Sequence, residues 1–198
     1  VDNIEAGIRI TSDKGRNNRY ELITKELSEA TKALLETIRD QLVSDVEISS
    51  AEILDPNAVF RIKDKFRLSA DEFIKNKLPK IDEVTKNLLV GTLLHDSLGL
   101  GKIEFLLSDP HLEEIVLNSS KEPVRVYHKD AGWLDTDILM RGEEQIKNYA
   151  NTIARRIGRQ VTTLTPLLDA HLITGDRANA VLYPISNQGN CITIRMFA

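Results

Sequence analysis

Two arginines are placed where their chemistry can be added together. Arg177 lies in the run GDRANAVLYP (Gly175 to Pro184) and Arg195 in CITIRMFA (Cys191 to Ala198). Both runs alternate with period two, so every second side chain of a strand points the same way. In the later run Ile192, Ile194 and Met196 share one face and leave Thr193 and Arg195 on the other. In the earlier run Ala178, Ala180 and Leu182 face inward, with Arg177 and Asn179 outward. Guanidiniums on the less apolar faces of neighbouring strands can converge on one anion, and their planar forks of donors suit phosphate oxygens. The plainer alternative is that each makes a surface ion pair, a common fate of strand arginines that is worth little energy.

The other chemistry-bearing residues point less far. Gly99-Leu-Gly101-Lys102 superficially looks like a phosphate-binding loop. That loop needs glycine at position 96 and Ser or Thr at 103, where this chain has Asp96 and Ile103. We read it as a helix stop and a turn. Arg155, Arg156 and Arg159 form the densest basic cluster. Cations collect at a helix C-terminus because its carbonyls are unpaired, which explains them without a ligand; a subunit or further phosphate contact is the alternative. Asp169 and His171 are spaced to face the same way on an extended segment. No nucleophile or ligand set accompanies them, so a structural or inter-domain hydrogen bond is the better reading than acid/base work. His95, His111 and His128 lack any Cys/His/Asp spacing that would hold zinc. Cys191 reads as a small semi-buried strand residue and Trp133 as a core or rim anchor.

These residues must be positioned by an α+β chain. Residues 1 to 18 lack sustained periodicity and read as a mobile arm. From Tyr20, apolar positions Ile23, Leu27, Ala30, Leu34, Ile38 and Leu42 recur every three or four residues, predicting one amphipathic helix to about Val46. A shorter helix follows Pro56 through Val59, Phe60, Lys63 and Phe66. Ser69 and Glu72 have capping-box spacing and predict a third helix, stopped by Pro79. Asp82 caps a fourth, through Val84, Leu88 and Leu94, closed by Gly99. Residues 19–100 thus read as a helical domain. Beyond them, Glu114 to Asn118 and Val124 to His128 are short strands, and Lys129 to Gly132 is the turn before a strand holding Trp133. Glu143 to Ile157 is a helix with Ile146, Ala150, Ile153 and Ile157 on one stripe, stopped by Gly158; the two arginine strands follow. Antiparallel strands with a covering helix make 101–198 an α+β layer.

Composition bounds the partners. The chain has 198 residues, 28% charged and 41% hydrophobic, ordinary for a globular protein able to bury a substantial core. A net charge of −4 gives no electrostatic reason to expect nucleic acid. The lone cysteine excludes an internal disulfide and fits a reducing cytoplasm. No apolar run approaches membrane-spanning length and no signal peptide is visible. The start on Val1 and the end on a strand read as those of a piece cut from a longer protein.

GDRANAVLYP, a short loop and ITIRMF together resemble the closing segment of the N-terminal domain of secretion ATPases, the superfamily of type II and type IV secretion motors and of archaeal pilus and archaellum motors. The resemblance continues back through TPLLDAHL, EEQIKNYANTIARRIGR, GWLDTD and LGLGKIEFLLSDPHLEEIVLNSS. It covers about the second half of the chain in order, while the first half has only a general likeness to the helical segment of the archaeal branch. Two departures stand out: Met196, where many relatives carry a basic residue, and Ala178, where valine is usual. The resemblance implies a PAS-like antiparallel sheet in 101–198, followed in the intact protein by a P-loop ATPase domain. It also implies that the positions of Arg177 and Arg195 reach the outer phosphates of ATP, with Mg, bound on that absent domain, as arginine fingers do. Neither ATP nor Mg is then expected on the fragment alone, which would be inactive without Walker A and B segments. The implied partners are that ATPase domain, five further copies in a hexamer, and a membrane platform protein to which the cytoplasmic motor docks. Two other classes compete: a ligand-sensing PAS-like module, which needs an apolar pocket, and a non-catalytic assembly adaptor that docks a partner helix.

Overall fold

The computed structural model describes residues 4, 6–11, 18–25, 27–45, 56–172 and 174–197. It divides into two compact units, one formed by Thr24–Glu104 with Ile4, the other by Ala6–Ile23 and Phe105–Ala198. The architecture is α+β.

Among the described residues the first unit is built from the helices α1 (Glu29–Asp45), α2 (Pro56–Lys77) and α3 (Glu83–Leu98). Leu35, Ile38 and Leu42 of α1 meet Phe66, Ala70 and Ile74 of α2 and Leu89, Val90, Leu93 and Leu94 of α3 in one core. In each case the spacing of three or four residues presents a single stripe. Asp82 caps α3 as expected, its carboxylate accepting a hydrogen bond from the Thr85 amide at 2.9 Å. Two expected helices are in fact one. Ser69 and Glu72 lie inside α2, because Phe66, Ala70 and Ile74 continue one apolar stripe straight through the capping-box spacing. The side chains of Val59 and Phe60, and the expected helix end near Val46, lie outside the described residues.

The second unit is an eight-stranded mixed sheet. Its strands are β1 (Ala6–Thr11), β2 (Arg19–Thr24), β3 (Leu112–Leu117), β4 (Arg125–His128), β5 (Gly132–Thr136), β6 (Leu167–His171), β7 (Arg177–Val181) and β8 (Cys191–Arg195), in the order β1-β2-β5-β4-β3-β8-β7-β6. The chain enters it through a short helix α4 (Ile103–Leu107), and α5 (Glu143–Arg155) packs against β6 and β8. From β5 to β6 every described pairing is antiparallel, as expected, but β2 lies parallel to β5. Tyr20 therefore opens no helix. Tyr20 and Leu22 are buried while Arg19 and Ile23 are exposed, and that alternation makes 19–24 a strand. The Tyr20 hydroxyl donates to Asp109 at 2.9 Å, and the Leu22 amide to Asp137. Burial first, and then the Asp109 carboxylate, push the Tyr20 phenol up. The arm expected over 1–18 likewise contains β1; residues 1–3, 5 and 12–17 lie outside the described residues.

One face of the sheet is apolar: Leu134, Val126, Ile115, Leu117, Ile192, Ile194, Ala178, Ala180, Leu168 and Ala170 are all buried. Ile146, Ala150, Ile153 and Ala154 of α5 supply the buried side of the covering helix, and Gly158 follows its end with φ 67°. The start of α5 is also a tie point. The Glu143 carboxylate accepts from the Ser120 amide and hydroxyl, both at 2.7 Å, and from the Asn190 amide. Burial alone would raise the Glu143 carboxyl, but the Asn190 and Ser120 hydrogen bonds outweigh it and hold it below the ordinary range. The Asn190 side chain returns a bond to the Glu143 carbonyl at 3.0 Å. Beside it, Gly189 has φ 149° and lies so close to Ser119 that an added Cβ would sit 2.4 Å from the serine Cβ.

A Gly189→Ala substitution should therefore lower the stability of the sheet unit by about 1–3 kcal/mol. Gly142→Ala should change little, since that glycine has extended backbone and nothing within 4 Å of an added Cβ. Urea unfolding followed by Trp133 fluorescence measures both, and equal midpoints for the two variants would refute the close-approach argument.

Candidate functional site: an arginine-bearing open sheet face

The face opposite the apolar one carries a transverse row. The cross-strand register aligns His171 with Arg177, Arg177 with Arg195, Arg195 with Glu114, Glu114 with Tyr127 and Tyr127 with Trp133. The two arginines expected from the sequence are thus direct neighbours on adjacent antiparallel strands, with Cα atoms about 5 Å apart. Both are exposed, while Ala178 and Ile194, paired one residue further along, are buried.

Like charges held opposite one another destabilise a sheet, and here each has an opposite charge beside it. Arg177 grips Asp169 of β6 with two parallel bonds, Nε to Oδ1 at 3.1 Å and an Nη to Oδ2 at 2.9 Å. Arg195 Nε lies 3.6 Å from a carboxylate oxygen of Glu114 on β3. The Asp169–Arg177 pair is exposed at both ends, side chains 56% and 45% accessible, so water screens it and it is easily exchanged. Its geometry still favours the charged forms. The Arg177 hydrogen bonds hold the Asp169 carboxyl below the usual carboxylate range, and Asp169 in turn raises the Arg177 guanidinium.

Other candidates separate by role. Asp169 makes the expected structural hydrogen bond, with Arg177 rather than His171. Of the basic cluster at the end of α5, Arg159 reaches the β6 edge, an Nη donating to the Asp169 carbonyl at 3.3 Å. Trp133 proves a rim residue: it is 42% exposed, with Arg125 5.2 Å over its ring and Tyr127 edge-on at 5.4 Å. His111 stacks on the buried His128, whose Nδ1 accepts the Asp130 and Ala131 amides of the following turn. Cys191 is half-buried, its thiol 3.1 Å from the Asn118 carbonyl. Among the described residues no group of three or more His, Cys, Asp and Glu side chains is placed to hold a metal. At the glycine-rich turn, the Leu100 amide is already taken by the Glu104 carboxylate at 3.2 Å and the Gly101 amide by the His95 carbonyl at 3.0 Å. The reading as a helix stop and turn agrees with that.

Sequence reasoning placed Asp169 and His171 on an extended segment and Glu114 on a strand, but missed that the first pairs as β6 and that Asp169 and Glu114 are the partners of the two arginines. The alternation of Leu168 and Ala170 against Asp169 and His171 is the signal that carried β6. Nothing local marks Glu114 as the partner of Arg195, since that neighbourhood is created by strand order.

No protein-family model matches the chain. It is similar to three uncharacterized proteins of Methanocaldococcus jannaschii. MJ1288 is 31% identical over 120 residues, 57% of this chain and 48% of that protein. MJ0781 is 28% identical over 204 residues, all of this chain but 26% of that protein. MJ0900 is 33% identical over 126 residues, 63% of this chain and 22% of that protein. The chain thus spans less than half the length of these curated relatives. Among solved structures it has a distant likeness to the VirB11 ATPase of the Brucella suis type IV secretion system, at 23% identity over 50% of this chain and 29% of that one, with a TM-score of 0.41.

Because the Asp169 carboxyl is held down by Arg177, the small stabilisation from this pair is present above the ordinary aspartate pKa. It is lost as the pH falls through the depressed value. Carboxyl NMR titration should place Asp169 below the ordinary range in the native chain and return it upward in Arg177→Ala. The same midpoint in both proteins would show that the two-bond grip is not kept in solution.

Proposed function

We propose that this chain is the N-terminal portion of a secretion- or pilus-type motor ATPase, and that Arg177 and Arg195 complete the coordination of a triphosphate held on a separate ATPase domain of the same protein. The observation that carries this reading is the direct cross-strand pairing of the two arginines on an exposed sheet face. The ordered sequence resemblance from Leu98 to Phe197 supports it.

The residues present fit part of such a site. Two guanidinium forks about one strand spacing apart can each take oxygens of neighbouring phosphoryl groups. They would neutralise charge as the terminal group departs, which is what electrostatic catalysis of phosphoryl transfer requires. The magnesium that accompanies ATP would be held by the ATPase domain. This chain by itself supplies neither the backbone cradle nor the lysine that tight nucleotide binding needs, so in this reading it does not hydrolyse ATP alone. Closing of the two domains on nucleotide would turn phosphate contact into domain motion, delivered within a hexamer to a membrane platform that builds or drives a filament or exports protein. No helix among the described residues is long and apolar enough to cross a membrane. Docking to the platform from the cytoplasmic side is part of the same proposal.

Replacing Arg177 or Arg195 by alanine in the intact protein should cut ATP turnover by roughly 10²- to 10³-fold with the fold retained. Steady-state hydrolysis and circular dichroism of purified full-length variants test this. Unchanged turnover would remove the phosphate role and favour a purely structural adaptor.

A further inference from the structure

We infer that Asp169 is a resident counter-anion of the arginine site, and that Arg159 is a third arginine of that same site, so that an incoming phosphate displaces the carboxylate rather than entering an empty cleft. The inference rests on the phosphate-binding reading of Arg177 and Arg195 and deepens it. Its basis is what surrounds one side chain. Asp169 lies on the edge strand β6 with its carboxylate gripped by Arg177 and its backbone carbonyl accepting a hydrogen bond from Arg159. His171, two residues along the same strand face, is the register neighbour of Arg177, which is itself the neighbour of Arg195. Arg177, Arg159 and the imidazole of His171 therefore lie around a single exposed carboxylate, and Arg195 stands on the next strand beyond Arg177.

Two physical features make Asp169 displaceable. Its grip on Arg177 is a surface pair open to solvent, the kind that contributes little net stability. A phosphate group carries more negative charge than a carboxylate and offers three oxygens, so it can engage Arg177, Arg195 and Arg159 together where the carboxylate engages one fork. Until then the carboxylate keeps the long Arg177 side chain extended over the sheet and offsets its repulsion from Arg195. The ordering of that side chain is done before the anion arrives. Arg159 needs only to exchange one neutral carbonyl acceptor for a charged oxygen. Asp169 is in this scheme a competing anion that leaves when phosphate binds, and Arg159 a binding residue.

Inorganic pyrophosphate, titrated into the 198-residue chain at low ionic strength and followed by backbone-amide NMR and calorimetry, tests the inference without the ATPase domain. Asp169→Asn keeps the shape and removes the competing charge, and should tighten pyrophosphate binding about three- to tenfold. Arg159→Ala should weaken it by a similar factor. Lys147→Ala, which removes a cation paired with Glu144 on α5, serves as the charge-loss control and should leave it unchanged. An Asp169→Asn chain that folds but binds no tighter than the native one overturns the role of Asp169. Equal losses in Arg159→Ala and Lys147→Ala overturn that of Arg159 and mean general electrostatic attraction. Either failure leaves the effect of Arg177→Ala on hydrolysis in the intact protein untouched, so it is distinguishable from failure of the phosphate reading itself.

Discussion

The arrangement of the arginine face depends on the buried pairs behind it. Ala178 opposes Ile194 and Ala180 opposes Ile192, all four on the buried face of the sheet. Because side chains alternate strictly, slipping β7 by one residue against β8 would turn these apolar groups to solvent and drive the arginines into the core. The core thus holds the register, and the register holds Arg177 against Arg195.

A second tie keeps β8 in place from its other end. Glu143, at the first turn of α5, gathers the connection after β3 through Ser120 and the connection before β8 through Asn190. A carboxylate there also complements the positive end of the helix. One side chain thereby locks the covering helix to both loops that flank the β3–β8 pair. Gly189 permits the close approach to Ser119 that this requires.

What the open face offers is charge that is restrained but not consumed. Arg177, Arg195 and Arg159 each have a local acceptor, yet none is buried and none of their partners is deeply desolvated. Deeply buried ion pairs resist exchange because breaking one strands a charge in low dielectric; surface ones trade partners at little cost. A site meant to meet a phosphate on another domain needs that second kind. The aromatic end of the same row, where Arg125 lies over Trp133, is more tightly self-paired by comparison, through Asp135 and the ring stack.

Much of this was legible in the residues themselves. The facing of Arg177 and Arg195, the cap at Asp82, the helix from Glu143 and its stop at Gly158 all follow from short-range periodicity and backbone chemistry, which a strand or helix turn expresses without help. Three things did not follow. Tyr20 to Thr24 carries apolar residues that fit either period, and only pairing beside β5, with the Leu22 amide bonded to Asp137 across 115 residues of sequence, makes it a strand. The break expected at Ser69 is overridden by packing of α2 on α1 and α3. Of the carboxylates that hold the arginines, Asp169 sits eight residues before Arg177 on the other arm of the β6–β7 hairpin, but Glu114 comes from β3, which meets β8 only through the strand order. Local pattern determines which way a side chain faces, but which group it faces is a long-range contact, set when distant strands bury their apolar faces together.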